Sequence, residues 1–204
     1  MRPFRHIMAG VAAVGLTAAA LAVAGPESSR AAAPPPLPLA SLFGGPFTLT
    51  DHNGQQRTDK DYRGKFMLIY FGYTYCPTIC PTNLQHMALA LKKLGPKAKS
   101  VQPLFITIDP RRDTPKLLKE YMTHFGKNFV ALTGTDDQLR AATKSFRVHR
   151  RKVIADKTAP EDYLVDHSSI TFLMGPDGKF RTLFPHDTTG DVMAKRMTKY
   201  LAQK

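Results

Sequence analysis

Cysteine is nearly absent from this 204-residue chain, tryptophan is wholly absent, and acid is scarce: two cysteines, and 16 aspartates and glutamates against 29 lysines and arginines. Two cysteines exclude a small fold stapled by several disulfides and a zinc site closed by four thiolates. No paired carboxylates, Ser-His-Asp order or glycine-rich phosphate loop stands out, which leaves hydrolase and nucleotide chemistry without sequence support. No internal repeat and no second domain are evident. The shortage of acid leaves a formal net charge of +13.

Charge of either sign is missing from Ile7 to Gly25, directly after Arg2 and Arg5. That pattern reads as an export signal over residues 1–24, either cut after the small-residue stretch Ala22-Val23-Ala24 or retained as a membrane anchor. The proline- and alanine-rich residues 25–40 follow as a stiff tether, and residues 41–204 are long enough for one domain with its own core. The expected location is the periplasmic side of a bacterial inner membrane, anchored or secreted. Export excludes nucleic acid as the partner of the basic clusters Lys92, Lys93, Lys97, Lys99 and Arg147, Arg150, Arg151, Lys152. An anionic membrane surface, an acidic protein partner or a merely solvated basic face remain.

The two cysteines, Cys76 and Cys80, lie in Tyr73-Thr74-Tyr75-Cys76-Pro77-Thr78-Ile79-Cys80-Pro81, immediately after the apolar run Phe66 to Phe71. A strand that ends in a turn feeding a helix leaves backbone N–H groups free to stabilise thiolates. A disulfide closing so short a loop would add roughly 2 kcal/mol or less. A redox dithiol or a pair of soft metal ligands is the stronger expectation.

Phe47 to Thr50 with Asn53-Gly54 reads as a strand and turn, and Phe66 to Phe71 as a strand buried on both faces. Pro81 suits the first position of a helix that continues through Leu84, Met87, Ala88, Leu91 and Leu94 to Gly95-Pro96. Val101 to Ile108 is a second buried strand, and Asp113-Thr114-Pro115 opens a helix to about Phe125. A strand over Phe129 to Leu132 and a helix from Thr135 to about Phe146 come next. Ile170 to Met174, the turn at Gly175 to Gly178, and Lys179 to Phe184 form a hairpin, and a helix over Val192 to Leu201 follows. Alternating strands and helices imply an α/β fold with a mixed central sheet flanked by helices, and a dithiol at the carboxyl end of the first buried strand makes it thioredoxin-like. Thioredoxin-type pairs are Cys-x-x-Cys, whereas here three residues intervene, a spacing that suits a shared metal ~2.3 Å from each sulfur as well as a disulfide.

Gly72-Tyr73-Thr74, Cys76-Pro77-x-x-Cys80-Pro81, Asp109-Pro110-x-Arg112-Asp113-Thr114, Leu132-Thr133-Gly134, Val165-Asp166-His167-Ser168 and Gly175-Pro176-Asp177-Gly178 together resemble the Sco/SenC family of copper proteins. The resemblance implies one copper ion, Cu(I) or Cu(II), held by Cys76, Cys80 and His167. It implies a metallochaperone for the binuclear copper centre of cytochrome c oxidase subunit II, or another copper recipient, acting as a monomer and not primarily as an enzyme.

Two thiolates and an imidazole suit soft Cu(I), and three ligands leave an open side for exchange. His167 precedes the strand Ile170 to Met174, whereas His52, His86, His124, His149 and His186 have surface or helical settings and His6 lies in the export signal. Asp166 is a weak candidate to orient the imidazole. Met193 and Met197 are spaced for core packing rather than for metal. Asp109 and Asp113 are expected to pair internally or to cap a helix. The alternatives are a thiol:disulfide oxidoreductase, with Cys76 as attacking thiol, or a copper or redox sensor. Oxidoreductases of this fold place a cis-proline before the strand facing the dithiol, and Ser168-Ser169 here favour metal.

Overall fold

The computed structural model describes residues 41–202. The expected export segment over 1–24 and all of the tether over 25–40 lie outside the described residues. The elements are β1 (Thr48–Asp51), β2 (Gln56–Thr58), β3 (Phe66–Gly72), α1 (Ile79–Leu94), β4 (Val101–Thr107), α2 (Pro115–Met122), β5 (Val130–Thr133), α3 (Asp136–Ser145), β6 (Arg150–Ile154), β7 (Tyr163–His167), β8 (Ile170–Met174), β9 (Phe180–Pro185) and α4 (Gly190–Leu201).

β3 has no polar alternation because both of its faces are covered, and all seven of its residues are buried. It pairs in parallel with β4 and antiparallel with β8, giving a seven-stranded mixed sheet in the order β2-β1-β5-β4-β3-β8-β9. Tyr70, Phe71, Phe105, Phe146, Phe172 and Phe184 are among the largest fully buried side chains. Phe71 packs against Phe146 and Phe172 with ring centroids 5.3 and 6.2 Å apart. Met193 and Met197 on α4 are wholly buried, as their helical spacing predicts.

Three differences from the sequence-based expectations have physical causes. α1 begins at Ile79, so Pro81 stands third in the helix; its missing N–H costs nothing there, because first-turn amides have no intrahelical partner. α4 opens two residues before Val192, where Thr189 Oγ1 caps the Val192 amide at 3.5 Å. The third is a whole hairpin: β6 and β7 pair with each other from Arg150↔His167 to Ile154↔Tyr163, forming a two-stranded ladder separate from the main sheet.

This hairpin also resolves part of the basic cluster. Arg150 donates to the Ile108 carbonyl at 3.1 Å and pairs with Asp136 at 2.8 Å, so it fastens β6 to the body rather than facing solvent freely. Arg151 stays exposed on the outer face beside Asp166, and Lys152, also exposed, lies on the opposite face with its Nζ 3.7 Å from the Tyr163 ring centroid. In the other cluster, Lys92 and Lys93 occupy the last turn of α1, where they complement the helix dipole.

Asp113 is the brace at the carboxyl end of the sheet. Fully buried, it accepts from the Thr74 amide at 3.1 Å, the Thr74 hydroxyl at 2.5 Å and the Thr107 hydroxyl at 2.5 Å, while Thr133 donates to its carbonyl at 3.2 Å. One carboxylate thereby ties the residues after β3 to β4, and its own backbone is tied to β5. Burial pushes its carboxyl up, with the Thr107 and Thr74 hydrogen bonds opposing that rise. Thr114, not Asp113, caps α2, accepting from the Leu117 amide at 3.3 Å, with Pro115 in the first helical position. Asp113→Ala strands the buried Thr107 hydroxyl and the partly buried Thr74 hydroxyl and amide, so urea unfolding of the variant should show a loss of about 3 kcal/mol. A loss below about 0.5 kcal/mol, the range of surface substitutions, would show that the brace carries nothing.

Candidate metal centre

β3 ends at Gly72, with the sulfur of Cys80 in the space beside it. A Cβ at position 72 would sit 2.9 Å from Cys80 Sγ and equally close to side-chain atoms of Tyr70 and Phe105. Tyr73 then opens a turn, closed by the Cys76 amide donating to the Tyr73 carbonyl at 3.3 Å, and α1 starts three residues later. Cys76 is 8% exposed at the mouth of this turn and Cys80 is 0% exposed beneath it, so only one of the two sulfurs meets the surface. Both are free thiols. The Cys80 amide, in the first turn of α1, donates to Cys76 Sγ at 3.3 Å.

Alternation along β7 turns Tyr163 and Val165 into the core and Leu164 and Asp166 outward. His167 follows the inward face, half-buried, with Nε2 3.5 Å from Cys80 Sγ. Its ring meets the rings of Tyr70 and Tyr73 edge-on, with centroids 6.3 and 6.0 Å away. Nδ1 lies 3.3 Å from the Ser168 carbonyl, which only accepts, so in neutral imidazole Nδ1 carries the proton and the Nε2 lone pair turns toward the sulfurs. The ligand atoms of Cys76, Cys80 and His167 all lie within 4.8 Å of one another, the one such group among the described residues.

The other described histidines go elsewhere. His52 Nδ1 accepts from the Ala131 amide at 3.0 Å, and His124, His149 and His186 are exposed. Asp166 does not orient His167: the same alternation that brings the imidazole inward sends the carboxylate out to Arg151, 3.4 Å away. Two features escaped the sequence. Tyr70 donates to Cys80 Sγ at 3.6 Å from inside the core, and the β6–β7 hairpin delivers His167. The period-two inward run Tyr163, Val165, His167 was the available signal for the hairpin. Ser168-Ser169 enter β8 without a cis peptide, and none occurs among the described residues.

The two thiols are driven apart electrostatically. The Cys80 thiol donating toward Cys76 holds Cys76 down to about 4, whereas burial pushes Cys80 well above the usual thiol range. A metal-free pair is therefore one thiolate and one thiol, and a soft cation entering between them would displace the Cys80 proton. A cavity of about 380 Å³ leads to Cys76 and His167 between Ile79, Val153 and Leu164. Ile79, Val153 and Leu164 are all exposed, and so is Tyr75 beside Cys76, which gives the opening an apolar rim.

A family model described as SCO1/SenC matches residues 36–202. The chain is 45% identical over 145 residues to "Protein SCO1 homolog, mitochondrial" of Mus musculus, an alignment covering 70% of this chain and 50% of that protein. It thus spans about half the length of that relative. The crystal structure of Arabidopsis thaliana ScoI with copper bound matches 79% of this chain and 99% of that one, with TM-score 0.74 and 34% identity. The structure of Bradyrhizobium japonicum ScoI with copper bound matches 78% and 99%, with TM-score 0.70 and 39% identity.

The split between the thiols is measurable. Ultraviolet thiolate absorbance of the reduced, metal-free protein should show one thiolate that persists as pH falls and is lost only near pH 4, and Cys76→Ser should remove that step. Two thiols both titrating near the ordinary 9.0 would contradict the arrangement.

Proposed function

The chain belongs to the SCO1/SenC family, and from that premise we propose that it is a copper metallochaperone, taking up one copper ion between Cys76, Cys80 and His167 and delivering it to the binuclear centre of cytochrome c oxidase subunit II. The observation that carries this reading is the convergence of two sulfurs and one imidazole nitrogen within 4.8 Å, beside an open, apolar-rimmed cavity lined by Cys76 and His167. The donor set fits copper chemically: thiolate and imidazole suit Cu(I), and the same set with one added oxygen donor suits Cu(II). Three ligands hold the ion without enclosing it, so a recipient's own ligand can enter from the cavity side before the first set lets go.

Each residue has a separate task. Cys76, already a thiolate, makes the first contact from the cavity mouth. Cys80 contributes its sulfur after losing its proton, and the buried site then holds one negative charge fewer than two free thiolates would bring. His167 closes the set from the arm. The exposed Tyr75, Ile79, Val153 and Leu164 supply area for a transient protein contact, and Arg151 and Lys152 on the adjoining strand favour an acidic partner.

The setting proposed is the periplasmic side of a bacterial inner membrane, with residues 1–24 as signal or anchor, 25–40 as tether and 41–204 as the copper-binding domain, working as a monomer. No helix among the described residues is long and apolar enough to cross a membrane. A second reading, thiol:disulfide exchange on the recipient's cysteines, is favoured by one observation: a low-lying Cys76 thiolate beside a protonated Cys80 is an attacking and resolving pair.

His167→Ala separates the two. It leaves both sulfurs, so copper affinity should fall about tenfold or more. Oxidase assembly should fail under copper scarcity, while reduction of the Cys76–Cys80 disulfide by a small dithiol should hardly change. Scarcity is required because abundant copper loads the recipient by mass action. Normal oxidase assembly in the His167→Ala strain together with failure in Cys76→Ser would overturn copper delivery in favour of thiol exchange.

A further inference from the structure

One cation stands between the turn that carries Cys76 and the strand that carries His167. Arg112 lies in the loop after β4, its side chain 16% exposed, with Nε 2.5 Å from Oδ2 of Asp109, which is 4% exposed. Its guanidinium carbon lies 3.7 Å from the Tyr163 ring centroid, 4.6 Å from that of Tyr75 and 5.8 Å from that of Tyr73. Tyr73 and Tyr75 belong to the turn that carries Cys76, and Tyr163 lies on β7, four residues before His167. Asp109 completes the loop by accepting from the Tyr163 hydroxyl at 2.8 Å. Arg112 Nη2 has no hydrogen-bond partner, so ring faces are a large part of what surrounds the guanidinium.

We propose that Arg112 is a positioning residue for the metal site: stacked on Tyr163 and Tyr75, it sets the separation between His167 and the two cysteines. The inference rests on Cys76, Cys80 and His167 being the ligand set. The β6–β7 ladder is not joined to the main sheet, so no main-sheet hydrogen bond fixes the direction in which β7 runs before β8 begins. That direction is fixed by side chains: Arg150 at one edge, the Val165 amide donating to the Tyr73 hydroxyl at 3.1 Å, and the Arg112 stack. Val165 is two residues from His167. A lysine at 112 would keep the charge beside Asp109 but has no planar faces for two rings at once.

The test is a double-mutant cycle in the full chain. Cu(I) affinity, measured by competition with a chromophoric chelator, should fall about tenfold in Arg112→Lys. The same change in a His167→Ala background should alter affinity by less than about twofold, since the partner it positions is gone. Amide exchange at Val165 in the metal-free protein should quicken in Arg112→Lys, a readout that involves no copper. Arg57→Met breaks a comparable ion pair to the buried Asp51 outside the metal site, and should lower the unfolding midpoint while leaving copper affinity at the wild-type value. Arg112→Met repeats the cycle with the charge removed.

Wild-type affinity and unchanged Val165 exchange in both Arg112 variants would overturn the proposal. So would an equal loss of affinity with and without His167, which would place the effect on the thiolates or on general stability. If His167→Ala itself keeps wild-type affinity, the ligand reading fails, and Val165 exchange alone then decides whether Arg112 holds the arm.

Discussion

A sulfur atom sealed from water governs the centre of this protein. Cys80 Sγ is fully buried against Tyr70, in the space that a side chain at position 72 would need. A lone anion there is costly, so the atom stays a thiol until a cation or an oxidised sulfur arrives. Gly72, the Tyr70 hydroxyl, the helix amide that serves Cys76 and the approach of His167 all answer that one condition. Cys76 carries the charge that Cys80 cannot, and it does so at the cavity mouth, where a partner can reach it.

The main sheet was legible in the sequence because its strands state their environment plainly. The run Phe66 to Phe71 has no polar interruption, and only a strand covered on both faces tolerates that. α1 was equally clear from its apolar spacing, as was the cap at Thr135. The cysteines and His167 stood out as chemistry in search of a fold, and the structure brings the three together. Their role as ligands is a reading of that convergence.

The β6 half of the hairpin was not legible. Arg150-Arg151-Lys152-Val153-Ile154 carries three cations and is largely exposed, so nothing in it alternates between core and solvent. Its strand character comes from pairing with β7, which composition does not reveal. Asp166 misled for a related reason: adjacency in sequence suggests a partner for His167, but adjacent residues on a strand face opposite sides. The place of Arg112 was beyond reach, because the rings it meets come from two segments far from it in sequence.

The hairpin's pairing with itself alone has a kinetic consequence. Two of the three donor atoms stand past the carboxyl end of an interior strand of a wide, well-covered sheet, and the third stands on a small ladder held to it by a few side chains. Such a ladder can open as its own unit at far less cost than unfolding the sheet. The grip on a bound ion can then loosen from one side while the fold survives intact, so residence time becomes a property of the hairpin's seam rather than of the protein's overall durability.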